Sequence, residues 1–120
     1  MSTQPLQNVN PSSDLVWTGA SGIRYQFENY ALGTARFFEK PGVYVFSRQF
    51  NGLFYAVYVG ETDNFARRLS NELAAHHAWD SIARAGATHI SAMVVVGGLA
   101  ERLKIETDLR HGLNPPCNRQ

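Results

Sequence analysis

The sequence predicts a small α+β domain: a central antiparallel sheet of about three strands flanked by helices, with an extra β-hairpin on its N-terminal side. Three observations lead there. Runs of β-branched and aromatic residues flank turn sequences twice in the first 60 residues. Apolar residues recur at helical spacing after that point. The elements follow one another as hairpin, hairpin, helix, helix, strand, helix, with no internal repeat.

Residues 1–14, MSTQPLQNVNPSSD, are rich in Gln, Asn, Ser and Pro and read as a flexible lead-in. Residues 15–39 form an N-terminal extension. There Leu15-Val16-Trp17 and Ile23 to Phe27 are β-type runs around Thr18 to Gly22, which reads as a hairpin; Glu28 to Lys40 show no clean period. A second hairpin is clearer. Val43 to Phe46 and Phe54 to Val59 are dense in β-branched and aromatic residues, and Asn51-Gly52 between them favours a tight turn. Asp63 or Thr62 then caps a helix expected to reach about Ala78, with Phe65, Leu69, Leu73 and His77 as its apolar stripe. Trp79 to Ala85 reads as a short helix ended by Gly86, and Thr88 to Val96 as a buried strand. The last helix spans about Leu99 to His111, with Gly112 as its C′ residue and Pro115-Pro116 forbidding continuation.

Composition excludes several classes. The 120 residues are 44% hydrophobic, enough for one domain with a real core. Eleven Lys and Arg against ten Asp and Glu leave a net charge of +1. That excludes a module holding polyanions by bulk field alone, but not a local basic cleft. The single cysteine, Cys117, cannot form an intramolecular disulfide. The longest apolar run, Ala92 to Val96, is far too short for a membrane span, and the first residues lack the pattern of a secretory signal. A cytoplasmic protein without membrane contact is the expectation.

Two residues are out of place for a pure core. On an α-helical wheel, Phe65, Leu69 and Leu73 mark the buried side of the helix from Asp63. Arg68, Glu72 and His76 form a row along its edge, and Arg67 points to solvent. The wheel alone reads Arg68 first as an i,i+4 partner of Glu72. On the last helix, Leu99, Leu103 and Leu109 mark an apolar face, and Glu106 falls between the last two. A buried carboxylate needs a partner or a function; Arg102 and Arg110, each four residues away, are candidate partners. His76, His77, His89 and Cys117 match no zinc-ligand spacing. Val95 to Gly98 is no phosphate-cradling loop, since Lys and Ser or Thr do not follow.

Gly42-Val43-Tyr44 and Tyr58-Val59-Gly60, thirteen residues apart, resemble the paired signature of the GIY-YIG nuclease superfamily. Arg68 follows Gly60 by eight residues, where that family keeps a catalytic arginine. Glu106 begins a Glu-x-x-Leu segment followed by Pro115 and Asn118, similar to the family's closing segment with its metal-binding Glu. The resemblance covers about Lys40 to Asn118, so residues 40–120 are the nuclease-like domain. It departs from the pattern twice: Glu61 stands where relatives commonly have Lys, and Glu72 where they have Tyr or His. His76 is then the candidate to replace the missing group.

The resemblance implies a divalent-metal-dependent endonuclease acting on nucleic acid, DNA ahead of RNA. Tyr44 would be the general base, although an ordinary Tyr, with pKa about 10, needs nearby positive charge to act as one. Tyr58 would orient water or phosphate, Arg68 would offer a bidentate fork, and Glu106 would hold one Mg²⁺ or Mn²⁺. Asn118 would support the Glu106 end by hydrogen bonding, and Arg67 and Gly60 would join Arg68 in binding substrate. Specificity would come from the N-terminal segment, a homodimer or a partner protein. The alternative is an interaction module for nucleic acid or protein that keeps the fold without efficient cleavage, the direction in which Glu61 and Glu72 point.

Overall fold

The computed structural model describes residues 13–33, 37–71 and 76–118, without the side chains of Ser70 and Asn71. Five strands form one antiparallel sheet in the order β1-β2-β5-β3-β4. They are β1 (Ser13–Thr18), β2 (Arg24–Ala31), β3 (Gly42–Phe50), β4 (Leu53–Thr62) and β5 (His89–Val94). A π-helix (Ala66–Asn71), α1 (Trp79–Arg84) and a short β5 crossover lead to α2 (Leu99–Leu113) and a 3₁₀ turn (Pro116–Asn118).

The sheet corrects the expected three strands with an appended hairpin. β2 does not stop at Phe27 but runs on through Glu28, Asn29 and Tyr30, and these pair with Ala92, Ser91 and Ile90 of β5. The edge of β5 is thereby covered, and the N-terminal hairpin becomes part of the one sheet. Trp17 reinforces the junction, its indole N–H donating to Ser91 Oγ at 2.9 Å. The expected lead-in lies outside the described residues except for Ser13 and Asp14, which already belong to β1.

Both faces of the sheet are buried. Tyr44, Phe46, Val57, Tyr58 and Ile90 pack on one side under Phe65, Leu69 and Ile82. Trp17, Phe27, Val43, Val45 and Val59 pack on the other under Ile105 and Leu109 of α2. At the tip of the second hairpin, Asn51 and Gly52 adopt φ of 53° and 78°, the positive angles a two-residue turn requires.

That turn alone would put Tyr44 and Tyr58 on opposite faces. From Phe50↔Leu53 to Ser47↔Ala56 the ladder is regular, and continued regularly it would set Tyr44 opposite Val59. Instead the register shifts after Ser47, so that Phe46 faces Tyr58 and Tyr44 faces Gly60. Val57 is the extra residue of this β-bulge. The bulge brings both tyrosines to one face.

The helices also depart from expectation. Asn64, not Asp63 or Thr62, caps the helix after β4, its Oδ1 accepting the Arg67 N–H at 3.0 Å. The helix is π-wound over Ala66–Asn71, and His77 and Ala78 form a turn, so a single α-helical wheel to Ala78 does not apply. Hence His76 is buried at 4% exposure while His77 is exposed, the reverse of the expected stripe. Glu72 and Leu73 lie outside the described residues. In α2 the buried residues are Arg102, Ile105 and Leu109, whereas Leu99 and Leu103 are exposed. The left-handed cap is Asn114; Gly112 lies within the helix, where a Cβ would strike the β1–β2 turn at Ala20 N.

Candidate functional site

Each triplet of the paired signature has a packing reason for its glycine. A Cβ on Gly42 would overlap the Met93 carbonyl and the Phe65 ring. A Cβ on Gly60 would stand 2.5 Å from Cζ and Oη of Tyr44, because the Tyr44 ring lies over the strand at that point. Gly60 is therefore the floor under Tyr44 and not an open substrate contact.

Tyr44 is 1% exposed and Tyr58 7%, with ring centroids 6.3 Å apart. His76 and His77 stack on each other at 4.8 Å beside them. Tyr44 Oη and His76 Nε2 are 2.7 Å apart, and Tyr58 Oη and His77 Nε2 are 3.2 Å apart. The histidine tautomers follow from their other ring nitrogens. His76 Nδ1 accepts the Ala78 backbone N–H at 3.1 Å, so in the neutral ring Nε2 carries the proton and donates to Tyr44. His77 Nδ1 accepts from Arg68 Nη2 at 3.3 Å, which assigns the same tautomer and makes Tyr58 an acceptor from Nε2. Both phenolic protons are therefore directed away from the histidines.

Electrostatics keep the tyrosines protonated. Burial pushes the Tyr44 hydroxyl well above its usual range, electrostatic coupling to Tyr58 adds to that, and Arg68 beside it pulls the other way without overcoming burial. Tyr58 is raised by burial and by the Glu106 carboxylate, again opposed by Arg68. Burial lowers His76 to about 4, helped by the positive charge of Arg68, so this ring is neutral at pH 7.

Arg68 stands at the mouth of this cluster. It lines an open cleft of about 330 Å³ with Arg67, Arg102, Glu61, Thr62 and Asp63. Arg67 pairs with Asp63, and Arg102 Nε donates to Glu61 Oε1 at 2.8 Å. Among the described residues no carboxylate forms an ion pair with Arg68. The Glu61 carboxylate, expected as negative charge beside a polyanion site, is neutralised by Arg102, which the helical wheel had offered to Glu106 instead.

Glu106 is half-buried at the rim. Burial pushes its carboxyl up, Glu61 adds to the rise, and Arg110 opposes it. Neither Arg102 nor Arg110 is its ion-pair partner among the described residues. A carboxylate short of positive charge and facing the tyrosines fits a divalent cation as a single protein ligand, with water and substrate oxygens completing the shell. No group of three or more His, Cys, Asp or Glu able to hold a metal occurs among the described residues.

Asn118 sits elsewhere than expected. Its amide accepts the Val59 N–H at 2.7 Å and donates to the Val59 carbonyl at 2.9 Å. It pairs with the edge of β4 as a neighbouring strand would, fixing the backbone between Tyr58 and Gly60 instead of holding Glu106. Tyr44, Tyr58, Arg68 and His76 thus converge, Glu106 borders them electrostatically, and Asn118 and Gly60 support the strand. His77 and Arg102 are the additions; the first falls in a turn and the second pairs with a residue 41 positions away, so local periodicity signals neither.

No helix of the described residues is long and apolar enough to cross a membrane. Comparisons of the chain with protein-family models, with curated proteins and with solved structures each returned no match.

Proposed function

We propose that this protein is an endonuclease of the GIY-YIG type, cleaving phosphodiester bonds in DNA with one divalent cation. The observation that carries the reading is the juxtaposition of Arg68, free of any carboxylate partner among the described residues, with two inward tyrosines on one sheet face. Two phenolic protons and a guanidinium form a set of donors suited to phosphate oxygens and to the charge that develops on them.

The tautomers refine the division of labour. With His76 donating to its oxygen, Tyr44 is a neutral hydroxyl that donates to phosphate or positions water. It becomes a proton acceptor only if further positive charge enters beside it. A cation on Glu106 would supply that charge and Lewis-acid help for the leaving oxygen. Tyr58 donates from the same face, oriented by His77. Arg68 and Arg67 engage the backbone phosphates from the cleft.

A second reading is a nucleic-acid-binding module on the same fold without efficient cleavage. The near-complete burial of Tyr44 favours it. A plasmid-nicking assay with and without Mg²⁺ separates the two, using branched and single-stranded DNA and RNA in parallel. Metal-dependent nicking that disappears in Glu106→Gln supports the enzyme. Binding without nicking by a protein of verified purity and fold leaves the module.

A further inference from the structure

We propose that Arg102 is a phosphate-binding residue of the cleft, held by Glu61 so that its outer guanidinium edge and Arg68 grip the same nucleic-acid backbone. This rests on the nucleic-acid reading above and extends it to a residue outside the paired signature. Arg102 comes from the first turn of α2 and is only 9% exposed, yet it lines the same cleft as Arg67 and Arg68. An arginine that merely neutralises a carboxylate tends to do so with two parallel N–H groups. Here the bond to Glu61 is made by Nε alone, at 2.8 Å, and among the described residues no side chain accepts from the two terminal nitrogens. The fork is anchored at its base and its outer edge is left for an acceptor in the cleft.

The charge balance agrees. Three arginines meet two carboxylates in the cleft, and each carboxylate, Glu61 and Asp63, is engaged by one guanidinium. Among the described residues that line the cleft the excess is one positive charge, carried by planar donors. A phosphodiester backbone matches this, because successive phosphates each carry one charge. Fixing Arg102 in advance also removes the side-chain entropy that binding would otherwise cost.

The test is fluorescence anisotropy of a labelled DNA duplex in EDTA, where cleavage is silent, repeated across a salt series. The key variant is Glu61→Gln with Arg102→Met. It leaves no orphaned charge and does not change the net charge, so bulk electrostatics cannot account for a loss. Binding should weaken about tenfold, and the slope of log affinity against log salt should become shallower by about one. Glu61→Gln alone should bind as tightly as wild type or more so. Equal affinity and slope in the double variant and wild type would overturn the proposal and leave the nuclease reading standing. Failure of the wild type to bind any duplex, branched or single-stranded DNA or RNA would overturn both. Circular dichroism checks the fold. Should the double variant not fold, Arg102→Lys carries the test: it keeps the charge but loses the fork, and affinity unchanged from wild type would overturn the proposal.

Discussion

Replacing Gly60 by Ala should disable the centre of the site without touching any group that does chemistry. The new Cβ would lie 2.5 Å from Cζ and Oη of Tyr44, whereas carbon atoms rest at about 3.5–4 Å. The ring must retreat by about 1 Å, and it has little room. It is 1% exposed and packed against Phe46, Tyr58 and His76 at centroid distances of 5.8, 6.3 and 6.0 Å. Such overpacking costs about 1–3 kcal/mol. Displacing Oη also disturbs its 2.7 Å contact to His76, and breaking that bond would leave a buried donor unsatisfied at about 1–3 kcal/mol more. The smaller entropy of the unfolded Ala chain returns about 0.4–1 kcal/mol. A net loss of about 1–5 kcal/mol follows, a large share of the ~5–15 kcal/mol typical of a whole domain. Urea titration should show a lower midpoint with an unchanged m-value. In a Tyr44→Leu background, where the clashing atoms are gone, the same Gly60→Ala change should cost under about 1 kcal/mol. A cost below about 0.5 kcal/mol in the wild type, or equal costs in both backgrounds, would refute the argument.

Three further outcomes are expected. Because His76 is held down at about 4 from an ordinary 6.5, the unfolded chain binds the extra proton between those values. Stability should therefore fall as pH drops through that window, by at most about 1.4 kcal/mol per pH unit from this group, and His76→Asn should flatten the slope in a pH series of urea titrations. Arg68→Ala should abolish nicking at saturating DNA, while Arg67→Ala, on the solvent side beside Asp63, should mainly raise the DNA concentration needed; equal losses of turnover would contradict this. Asp108→Asn should loosen the β1–β2 turn from α2, since its carboxylate accepts from Ser21 N, Ser21 Oγ and Tyr25 at 2.8, 2.6 and 2.7 Å. Hydrogen bonds from Ser21 and Tyr25 hold this carboxyl below the usual range, so the stability difference should be present at pH 7 and vanish as acid protonates it, read as the gap in Tm between variant and wild type.

The parts of this fold legible in the sequence are those that local chemistry decides. The β3–β4 hairpin is written in its aromatic and β-branched runs and in Asn51-Gly52, whose positive φ angles the structure carries. The short helix at Trp79 and the strand near Ile90 are equally local. What could not be read in this way depends on distant partners. Glu28 and Asn29 show no clean period by themselves and become strand because β5 offers an edge to pair with. Arg102 occupies a buried helical position because Glu61 neutralises it, and a wheel that sees only one helix assigns that face to Leu99 and Leu103 instead. The bulge at Val57 is an intermediate case. A two-residue turn at Asn51-Gly52 gives partner numbers with an odd sum, whereas two tyrosines at even positions need an even one to share a face. Parity alone therefore demands one extra residue between them, and the sequence contains it.

The signature residues do not all carry the same weight once their packing is known. Gly42 and Gly60 are required by close approach of Phe65 and Tyr44, and Asn118 closes the edge of β4. Those three therefore have a structural reason whatever the protein does. Tyr44 fills the core and its hydroxyl accepts from the buried His76, so it also has a structural reason. Arg68 and Glu106 are different. One is a guanidinium without a carboxylate partner and the other a half-buried carboxylate without a cation partner, both among the described residues. The half-buried carboxylate is desolvated where it stands, whereas the partly exposed guanidinium donates to His77 Nδ1 and lines the open cleft. Stability alone gives no reason for Glu106 to stand there without a cation. On the proposed nuclease reading both residues are needed, whereas on the binding-module reading Glu106 is not, which makes Arg68 and Glu106 the residues on which the choice between the two turns.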